Sequence, residues 1–466
     1  MKTLLGVDLG TTSMKMVLFD EQGNELKTVS KTYTLDSCGD RVELDAQIYW
    51  QMFSQGYEEI RGEYAIDALS IDTQCESLVV ADENGEPLYK TIVWLDNRAV
   101  EEAQMIEKAF GVRQVYEVTG QPEITATWPA CKLLWLRRHE PEIFGKIKKI
   151  FLLEDYLLYR LTGEFVTERT LQSSSLYLNI HTGDWWQEML DFVGISPQQL
   201  PRLMDSCQEV ARVDGTVVVS GVMDQIAGAI GAGVVDASVV SEMTGTTMAI
   251  VAPTDRCPEY REGNKVPCHI NYDGSFCLLT WTPTAGIALK WFKDNFCEGK
   301  SYEDLNVLAA AVPAGCGGLT FLPYLCGSII PKYNPDARGA FLGLTMEHTR
   351  GHMVRAIFEA VAFMLQENLQ YLGLSCSQIR SMGGGAVSPL WCQIKADVTG
   401  KKIVTLKNAE AACLGSAIVA GVGAGIFESV PAASKALVQT DREYVPGGAD
   451  YTEAFERYLA LEESHI

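Results

Sequence analysis

One short pattern occurs twice in this chain, about half a chain apart, and it limits the possible folds more than any other feature. Near the start, an apolar strand pattern over Leu4–Val7 runs into DLGTTS at residues 8–13, and a second strand pattern follows over Met14–Phe19. Far downstream, Val239–Glu242 runs into MTGTT, and Met248–Val251 again has the pattern of a strand. A strand, a glycine-threonine turn and a second strand predict a β-hairpin. Its repetition predicts two domains built on one plan.

The length of the chain agrees with two domains. The chain has 466 residues, whereas single domains typically have about 100–200. Apolar residues recur at helical spacing between the strand patterns, for example from Met353 to Leu365, so an α/β fold is expected. We place the domain boundary after the glycine-rich run Gly228–Gly233. The predicted domains are therefore residues 1–236 and 237–466.

Charge and cysteine usage exclude several classes of protein. The net charge is −22, which argues against nucleic acid and anionic membranes as main partners because both need a basic surface. The 13 cysteines are scattered without metal-binding spacing, as expected for reduced thiols in the cytoplasm. No apolar segment typical of a secretory signal follows Met1. The sequence does not define the oligomeric state, and a homodimer is one possibility.

The first glycine-threonine turn has the chemistry of a phosphate site. Gly10 lets the backbone approach a phosphate group, and Thr11 and Thr12 offer hydroxyl and N–H donors. Asp8 can hold the hydration shell of Mg²⁺, and Lys15 can place a positive charge near a terminal phosphate. The alternative is an ordinary hairpin turn. The second turn favours the phosphate interpretation, because a triphosphate can be held from both domains.

A triple glycine lies between a predicted strand and a predicted helix in Met382–Trp391. It permits close contact with a planar ligand such as adenine. The segment matches neither the G-x-G-x-x-G fingerprint of dinucleotide-binding folds nor the P-loop. The alternative is a tight strand-to-helix turn.

Asp224 is the only charged residue in the long apolar stretch Val217–Val235. A carboxylate in apolar surroundings is costly unless it has partners or a function. It could accept the proton of an attacking hydroxyl group. The alternative is a helix N-cap, for which aspartate is favoured. The two roles are compatible.

Two polar segments between apolar strand patterns suit a ligand rich in hydroxyl groups. The first contains Gln74 and Glu76, and the second contains Trp94 and Asp96. The indole of Trp94 could lie against a carbon skeleton. The alternative is a solvated loop in which Asp96 pairs with Arg98.

The order of these motifs resembles the FGGY family of carbohydrate kinases, which includes xylulokinases and glycerol kinases. The most specific segment is Gly339–Leu344, followed after seven residues by His352–Glu359, and it fits the family's C-terminal signature. Trp128–Trp135 fits the N-terminal signature except at the preceding Thr127. The resemblance extends from residue 6 to about residue 427, nearly the whole chain.

The resemblance implies two actin-like, ribonuclease-H-like domains, each a five-stranded mixed sheet flanked by helices, with ATP and a sugar in the cleft between them. Asp224 is then the general base, and Asp8 is associated with Mg²⁺ through water. The N-terminal domain binds the sugar, with Gln225 beside the base, and the C-terminal domain binds ATP. The residues that match the ATP and phosphate contacts are Gly10, Thr11, Thr12, Lys15, Gly245, Thr246, Thr247, Gly384, Gly385, Ala386 and Ser388.

The substrate loop departs from the well-known subgroups. Xylulokinases carry Gln-Met-His-Gly where this chain has QCES at residues 74–77, and glycerol kinases carry an Arg-Glu pair there. Asp224-Gln225 is similar to glycerol kinases, whereas the WLDNR segment at 94–98 looks more like xylulokinases. We expect an ATP-dependent kinase for a small sugar or polyol, best guess a ketopentose such as xylulose. A glycerol or tetritol kinase is the alternative within the family. An actin-like ATPase or an inactive sugar sensor are alternatives from other classes.

Overall fold

The computed structural model describes residues 1–465 and contains a large mixed sheet in each half of the chain. The N-terminal sheet has six strands, in spatial order Glu209–Val213, Thr216–Val219, Ala68–Thr73, Thr3–Leu9, Ser13–Asp20 and Glu25–Thr32. The C-terminal sheet has seven, in spatial order Cys268–Ile270, Phe276–Thr282, Met248–Thr254, Val239–Thr244, Gln378–Met382, Lys402–Leu406 and Thr440–Tyr444. Both predicted hairpins lie in the centre of these sheets.

The two sheets share one strand order. In each, a meander of three antiparallel strands is followed by two parallel strands and one antiparallel edge strand. The C-terminal sheet has one further antiparallel edge strand, Cys268–Ile270, beside Phe276–Thr282. The α/β fold of two domains on one plan is therefore confirmed, while the domain boundary at residue 236 stays a prediction. The expectation of five strands per sheet was wrong. The missed edge strands include Glu209–Val213 and Thr440–Tyr444, which are largely exposed and lack an apolar strand pattern.

Smaller sheets accompany the two large ones, and the five-stranded one adjoins the predicted sugar loops. A five-stranded sheet has the spatial order Asp36–Cys38, Arg41–Leu44, Thr91–Ile92, Leu78–Ala81 and Lys149–Leu152. Three two-stranded sheets pair Val166–Glu168 with Arg202–Met204, Leu178–Asn179 with Asp184–Trp185, and Thr320–Leu322 with Ala340–Leu342.

Helices cover the sheets. They are Ala46–Arg61, Val100–Thr119, Pro129–His139, Pro141–Phe144, Leu153–Thr162, Arg169–Gln172, Gln187–Val193, Asp224–Gly231, Gly286–Phe296, Tyr302–Ala310, Arg350–Leu372, Pro389–Thr399, Ala411–Gly423, Val430–Leu437 and Thr452–His465. Short 3₁₀ turns occupy Pro197–Gln199, Cys316–Gly318 and Gly384–Val387. Within residues 1–465, no helix has the length and apolar character needed to cross a membrane.

Two helices of small residues join the halves of the molecule. The helix Ala411–Gly423, from the C-terminal half, packs on the N-terminal sheet and against the helix Asp224–Gly231. A Cβ atom at Gly6 would lie 1.7 Å from the carbonyl oxygen of Cys413. A side chain at Gly6 would therefore force the sheet and the helix apart, so glycine is needed there. This packing fixes the first hairpin relative to the helix that begins at Asp224.

Candidate active site

The first hairpin turn is closed by its own backbone and fixed by a tryptophan. The amide of Gly10 donates to the carbonyl of Ser13 at 3.0 Å. The hydroxyl of Thr11 accepts a hydrogen bond from the indole N–H of Trp94 at 3.0 Å. Thr12 is exposed at the tip. The structure thus brings the predicted phosphate turn and the predicted sugar loop into direct contact.

Two aspartates lie side by side at the ends of neighbouring strands. Asp8 pairs in parallel register with Asp72, whose side chain has no exposed surface. The hydroxyl of Ser416, on the helix Ala411–Gly423, donates to Asp72. Burial raises the pKa of Asp8 to about 6 and raises that of Asp72 well above its usual value. Mg²⁺ is usually held by one or two carboxylates and by phosphate oxygens, so this donor pair fits the ion.

Lys15 forms an ion pair with Glu410, a partner that the sequence did not indicate. Its amine donates to both carboxylate oxygens of Glu410 at 2.7 Å. Glu410 comes directly before the helix Ala411–Gly423, so this ion pair links the two halves beside Asp8. Contact of Lys15 with a phosphate group stays a prediction, and such a group would compete with Glu410 for the amine.

The second hairpin and the triple glycine face one cavity of about 400 Å³. Its lining includes five of the predicted nucleotide residues, which are Gly245, Thr246, Gly384, Gly385 and Ser388. Thr247 and Ala386 belong to the same two turns, in which they bond to Gly245 and Gly383. Lining residues that were not predicted include Gly286, Tyr302 and Asn306. They come from two helices whose apolar patterns indicate packing and carry no nucleotide motif.

The side chain of Ser388 ties the triple-glycine loop to the helix that follows it. Its oxygen accepts a hydrogen bond from the amide of Trp391 at 3.2 Å, as an N-cap does. The same hydroxyl donates to the side chain of Asn306 at 2.7 Å. The loop is therefore anchored on both sides of the cavity.

Asp224 is the first residue of its helix, and Met223 occupies the N-cap position. The carboxylate accepts a hydrogen bond from the amide of Gln225 at 2.6 Å and from the thiol of Cys75 at 3.5 Å. Burial, reinforced by the negative charge of Asp8, raises the pKa of Asp224 to about 6. A carboxylate of this pKa is ionised at neutral pH and is still basic enough to accept a proton.

The predicted sugar loop has a strained backbone. Glu76 has a φ of 25°, a conformation that costs roughly 1–3 kcal/mol for a residue other than glycine and persists only where the surroundings impose it. The buried amine of Lys132 donates to the carbonyls of Glu76 at 2.8 Å and Val93 at 3.0 Å. Burial raises the pKa of Glu76 to about 7, although the charge of Lys132 opposes that shift.

The other predicted sugar residues differ in exposure. Trp94 and Gln225 are partly exposed, whereas Gln74 is buried with its amide donating to the hydroxyl of Tyr49 at 3.2 Å. Asp96 has no exposed surface and is held by the guanidinium of Arg98 at 2.6 and 2.8 Å. This ion pair fixes the loop that carries Trp94. Direct contact of Gln74 or Asp96 with a substrate stays a prediction.

Comparison with known proteins agrees with this geometry. The sequence model of the N-terminal domain of the FGGY family of carbohydrate kinases matches residues 3–240, and that of the C-terminal domain matches residues 261–424. The chain belongs to the FGGY family of carbohydrate kinases. It is therefore a phosphotransferase with an alcohol group of a sugar as acceptor, and kinases of this family use ATP as phosphate donor, generally with Mg²⁺. The expectations of an actin-like ATPase or an inactive sensor are superseded by this assignment.

Individual relatives include kinases for two different substrates. The chain is 30% identical to a xylulose kinase of Staphylococcus epidermidis, over 99% of this chain and 96% of that protein. It is also 30% identical to a gluconokinase of Bacillus subtilis, over 94% of this chain and 91% of that protein. The structure of a ligand-bound xylulose kinase from Lactobacillus acidophilus superposes with a TM-score of 0.91 at 27% identity, covering 100% of this chain and 98% of that one.

Proposed function

We propose that this kinase transfers the γ-phosphoryl group of ATP to a hydroxyl group of a neutral ketopentose, with xylulose as the best guess. The curated relatives named xylulose kinase, at about 30% identity over nearly the whole chain, support this substrate class. A cytoplasmic location, where ATP is available, and a small molecule rather than nucleic acid as partner are part of the proposal.

The observation that carries the choice of a neutral sugar is the charge around the proposed base. Gluconate carries a carboxylate, whereas ketopentoses and polyols are uncharged. Glu76 and Asp224 lie close together, since the negative charge of Asp224 contributes to the raised pKa of Glu76. The amine beside Glu76, that of Lys132, is fully buried, and burial lowers its pKa to about 7. It donates two of its three N–H bonds to backbone carbonyls, so it offers little positive charge to a substrate. The carboxylate of gluconate would be a third one beside Glu76 and Asp224 and would be repelled, since like charges in a desolvated site are destabilising.

In the proposed mechanism, Asp224 accepts a hydrogen bond from the attacking hydroxyl and takes its proton as the new O–P bond forms. The N–H groups and hydroxyls of both glycine-threonine turns hold the phosphate groups from opposite sides. Asp8, with Asp72 beside it, would hold Mg²⁺, which when bound neutralises charge on the β- and γ-phosphates. Gly384, Gly385 and Ser388 would bind adenosine. Trp94 would cover the carbon skeleton of the sugar and exclude water from the transfer.

A smaller polyol such as glycerol or a tetritol is the second candidate. Glu76 supports it, because an acceptor carboxylate at this position can bind two neighbouring hydroxyl groups of a short polyol. Gln225 supports it as well, since the Asp224-Gln225 pair is similar to that of glycerol kinases.

A coupled assay of ADP release with a panel of acceptors tests the proposal. We expect turnover with ketopentoses, above all xylulose, weaker turnover with glycerol and tetritols, and none above the sugar-free rate with gluconate at pH 8. In the variant Glu76→Gln, which has the same shape but no charge, discrimination against gluconate should weaken. Preferred turnover of gluconate by the native enzyme would contradict the assignment of a neutral substrate.

A further inference from the structure

Two buried side chains hold the backbone segment Ser220–Asp224, which leads to the proposed base. We propose that Thr170 and Glu154 are positioning residues, which act through this segment to place the carboxylate of Asp224 against the attacking hydroxyl. The inference rests on the proposed function, because it takes Asp224 as the general base.

Thr170 holds the residue before the base. Its hydroxyl accepts a hydrogen bond from the amide of Met223 at 2.8 Å. The same hydroxyl donates to the carboxylate of Glu168 at 2.7 Å, and Glu168 also accepts from the amide of Thr170 at 2.5 Å. Both side chains are 1% exposed. The orientation of the Thr170 hydroxyl is therefore fixed, so its lone pair is directed at Met223.

Met223 transmits this restraint to the helix. Its carbonyl accepts hydrogen bonds from the amides of Ile226 and Ala227, both at 2.9 Å, which are the first bonds of the helix Asp224–Gly231. The amide of Met223 is thus hydrogen-bonded to Thr170, and its carbonyl is hydrogen-bonded to the first turn of the helix. Asp224 follows directly, so any displacement of Met223 moves the carboxylate with it.

Glu154 holds the start of the segment. Its carboxylate accepts a hydrogen bond from the amide of Gly221 at 3.2 Å, and its side chain has no exposed surface. A Cβ atom on Gly221 would lie 2.1 Å from the carbonyl oxygen of Ile71. The segment therefore lies directly on the strand Ala68–Thr73, which contains Asp72, and Glu154 keeps it there. This contact sets the position of Asp224 relative to the aspartate pair.

A residue that positions Asp224 and a residue that only stabilises the fold should differ in their effect on kcat per folded molecule. A misplacement of about 1 Å can lower turnover by roughly 100-fold without changing how the substrate binds. A residue that only stabilises the fold would lower the amount of active enzyme but would not change kcat per folded molecule. The effect should also depend on the base: once Asp224 can no longer accept a proton, its position loses importance.

The test compares Thr170→Val, which keeps the shape but removes both hydroxyl bonds, with Thr170→Ser, which keeps them. We expect Thr170→Val to lower kcat by roughly 10- to 100-fold per folded molecule, with the KM for the sugar changed by less than about threefold, and Thr170→Ser to restore most of the rate. The matched control is Thr162→Val, because the hydroxyl of Thr162 donates to the carbonyl of Leu158 at 2.7 Å within its own helix. Its kcat should stay at the native value.

A double-mutant cycle with Asp224→Asn separates the possible outcomes. Thr170→Val should lower the residual rate of Asp224→Asn much less than it lowers the native rate, because the two residues act as a unit. Equal losses in both backgrounds, or native kcat in folded Thr170→Val, would overturn the positioning role. Native activity of Asp224→Asn would overturn the proposed function instead. If Thr170→Val does not fold, the same criteria apply to a second pair of variants. Glu154→Leu removes the acceptor for the amide of Gly221, whereas Glu154→Gln keeps one.

Discussion

Lys395 and Glu242 form an ion pair beneath the proposed nucleotide cavity, and neither side chain has any exposed surface. The amine of Lys395 donates to the carboxylate of Glu242 and to the hydroxyl of Thr244, both at 2.9 Å. Glu242 also accepts a hydrogen bond from the hydroxyl of Ser381 at 2.7 Å. We predict that Lys395→Met is strongly destabilising, because it fills the same space but leaves a buried carboxylate without its cation.

The magnitude follows from the complete burial of both groups. Removing one partner of a buried ion pair costs about 3–5 kcal/mol, whereas replacing both partners by apolar residues is often neutral. About 1 kcal/mol shifts the midpoint of thermal unfolding by about 2–4 °C for a unit of 150–250 residues, so Lys395→Met should lower the midpoint by roughly 10 °C. The double variant Lys395→Met/Glu242→Leu should regain most of this loss.

The nucleotide site should weaken together with the fold. Thr244 lines the nucleotide cavity, and a Cβ atom on Gly385 would lie only 2.6 Å from the Cβ atom of Thr244. The triple-glycine loop therefore rests on the residue that Lys395 holds. In folded Lys395→Met we expect the KM for ATP to rise several-fold, while the KM for the sugar stays unchanged.

Thermal unfolding by circular dichroism, with steady-state kinetics on the folded fraction, measures both effects. The matched control is Lys402→Met, because the pair of Lys402 and Glu443 is partly exposed and such pairs contribute about 0–1 kcal/mol. If Lys395→Met lowers the midpoint no more than Lys402→Met does, the assumed cost of an unpaired buried carboxylate is wrong. If the double variant is as unstable as the single one, the loss comes from packing rather than charge.

Three other predictions follow from buried groups. The kcat/KM for the sugar should fall as the pH drops below about 6, because burial raises the pKa of Asp224 to about 6 and its protonated form is not a base; a flat profile from pH 5 to 8 would contradict this. Burial raises the pKa of Asp155 to about 8, above its unfolded value, so its neutral form favours the folded state and stability is lost as the pH rises through about 8. Urea unfolding at pH 6 and 9 should show this loss, and Asp155→Asn should reduce it. Gly415→Ala should prevent stable folding, because its Cβ atom would lie 1.8 Å from the carbonyl oxygen of Ala227, whereas Gly228→Ala, with open space around it, should leave the unfolding midpoint within a few degrees.

The parts of the fold that could be predicted from sequence are the elements that a pattern within one short segment indicates. The strands Thr3–Leu9 and Ser13–Asp20 are rich in apolar residues and flank a glycine-threonine turn, and the same holds for Val239–Thr244 and Met248–Thr254. The repetition of this pattern was enough to predict two domains built on one plan. The exposed edge strands carried no such pattern, so their number was underestimated.

The sequence indicated candidate site residues only where they lie together in one short motif. Contacts between distant segments carried no local signal. Glu410 lies 395 residues from Lys15, and Ser416 lies 344 residues from Asp72, so only the folded chain shows that they meet. Likewise, the buried position of Lys132 under the predicted sugar loop depends on tertiary packing. These contacts explain how the site is held rather than which residues it contains.

Sugar-dependent ADP formation by Asp224→Asn, compared with the native enzyme at saturating ATP and xylulose, tests the central claim most directly. Asparagine has the same shape and still accepts the hydrogen bond from Gln225, but it cannot take a proton. General-base catalysis contributes about 10²–10⁴-fold, so we expect kcat to fall by at least roughly 100-fold while the thermal midpoint and ATP binding stay near native. A folded Asp224→Asn enzyme with sugar-dependent turnover near the native rate would show that another group accepts the proton.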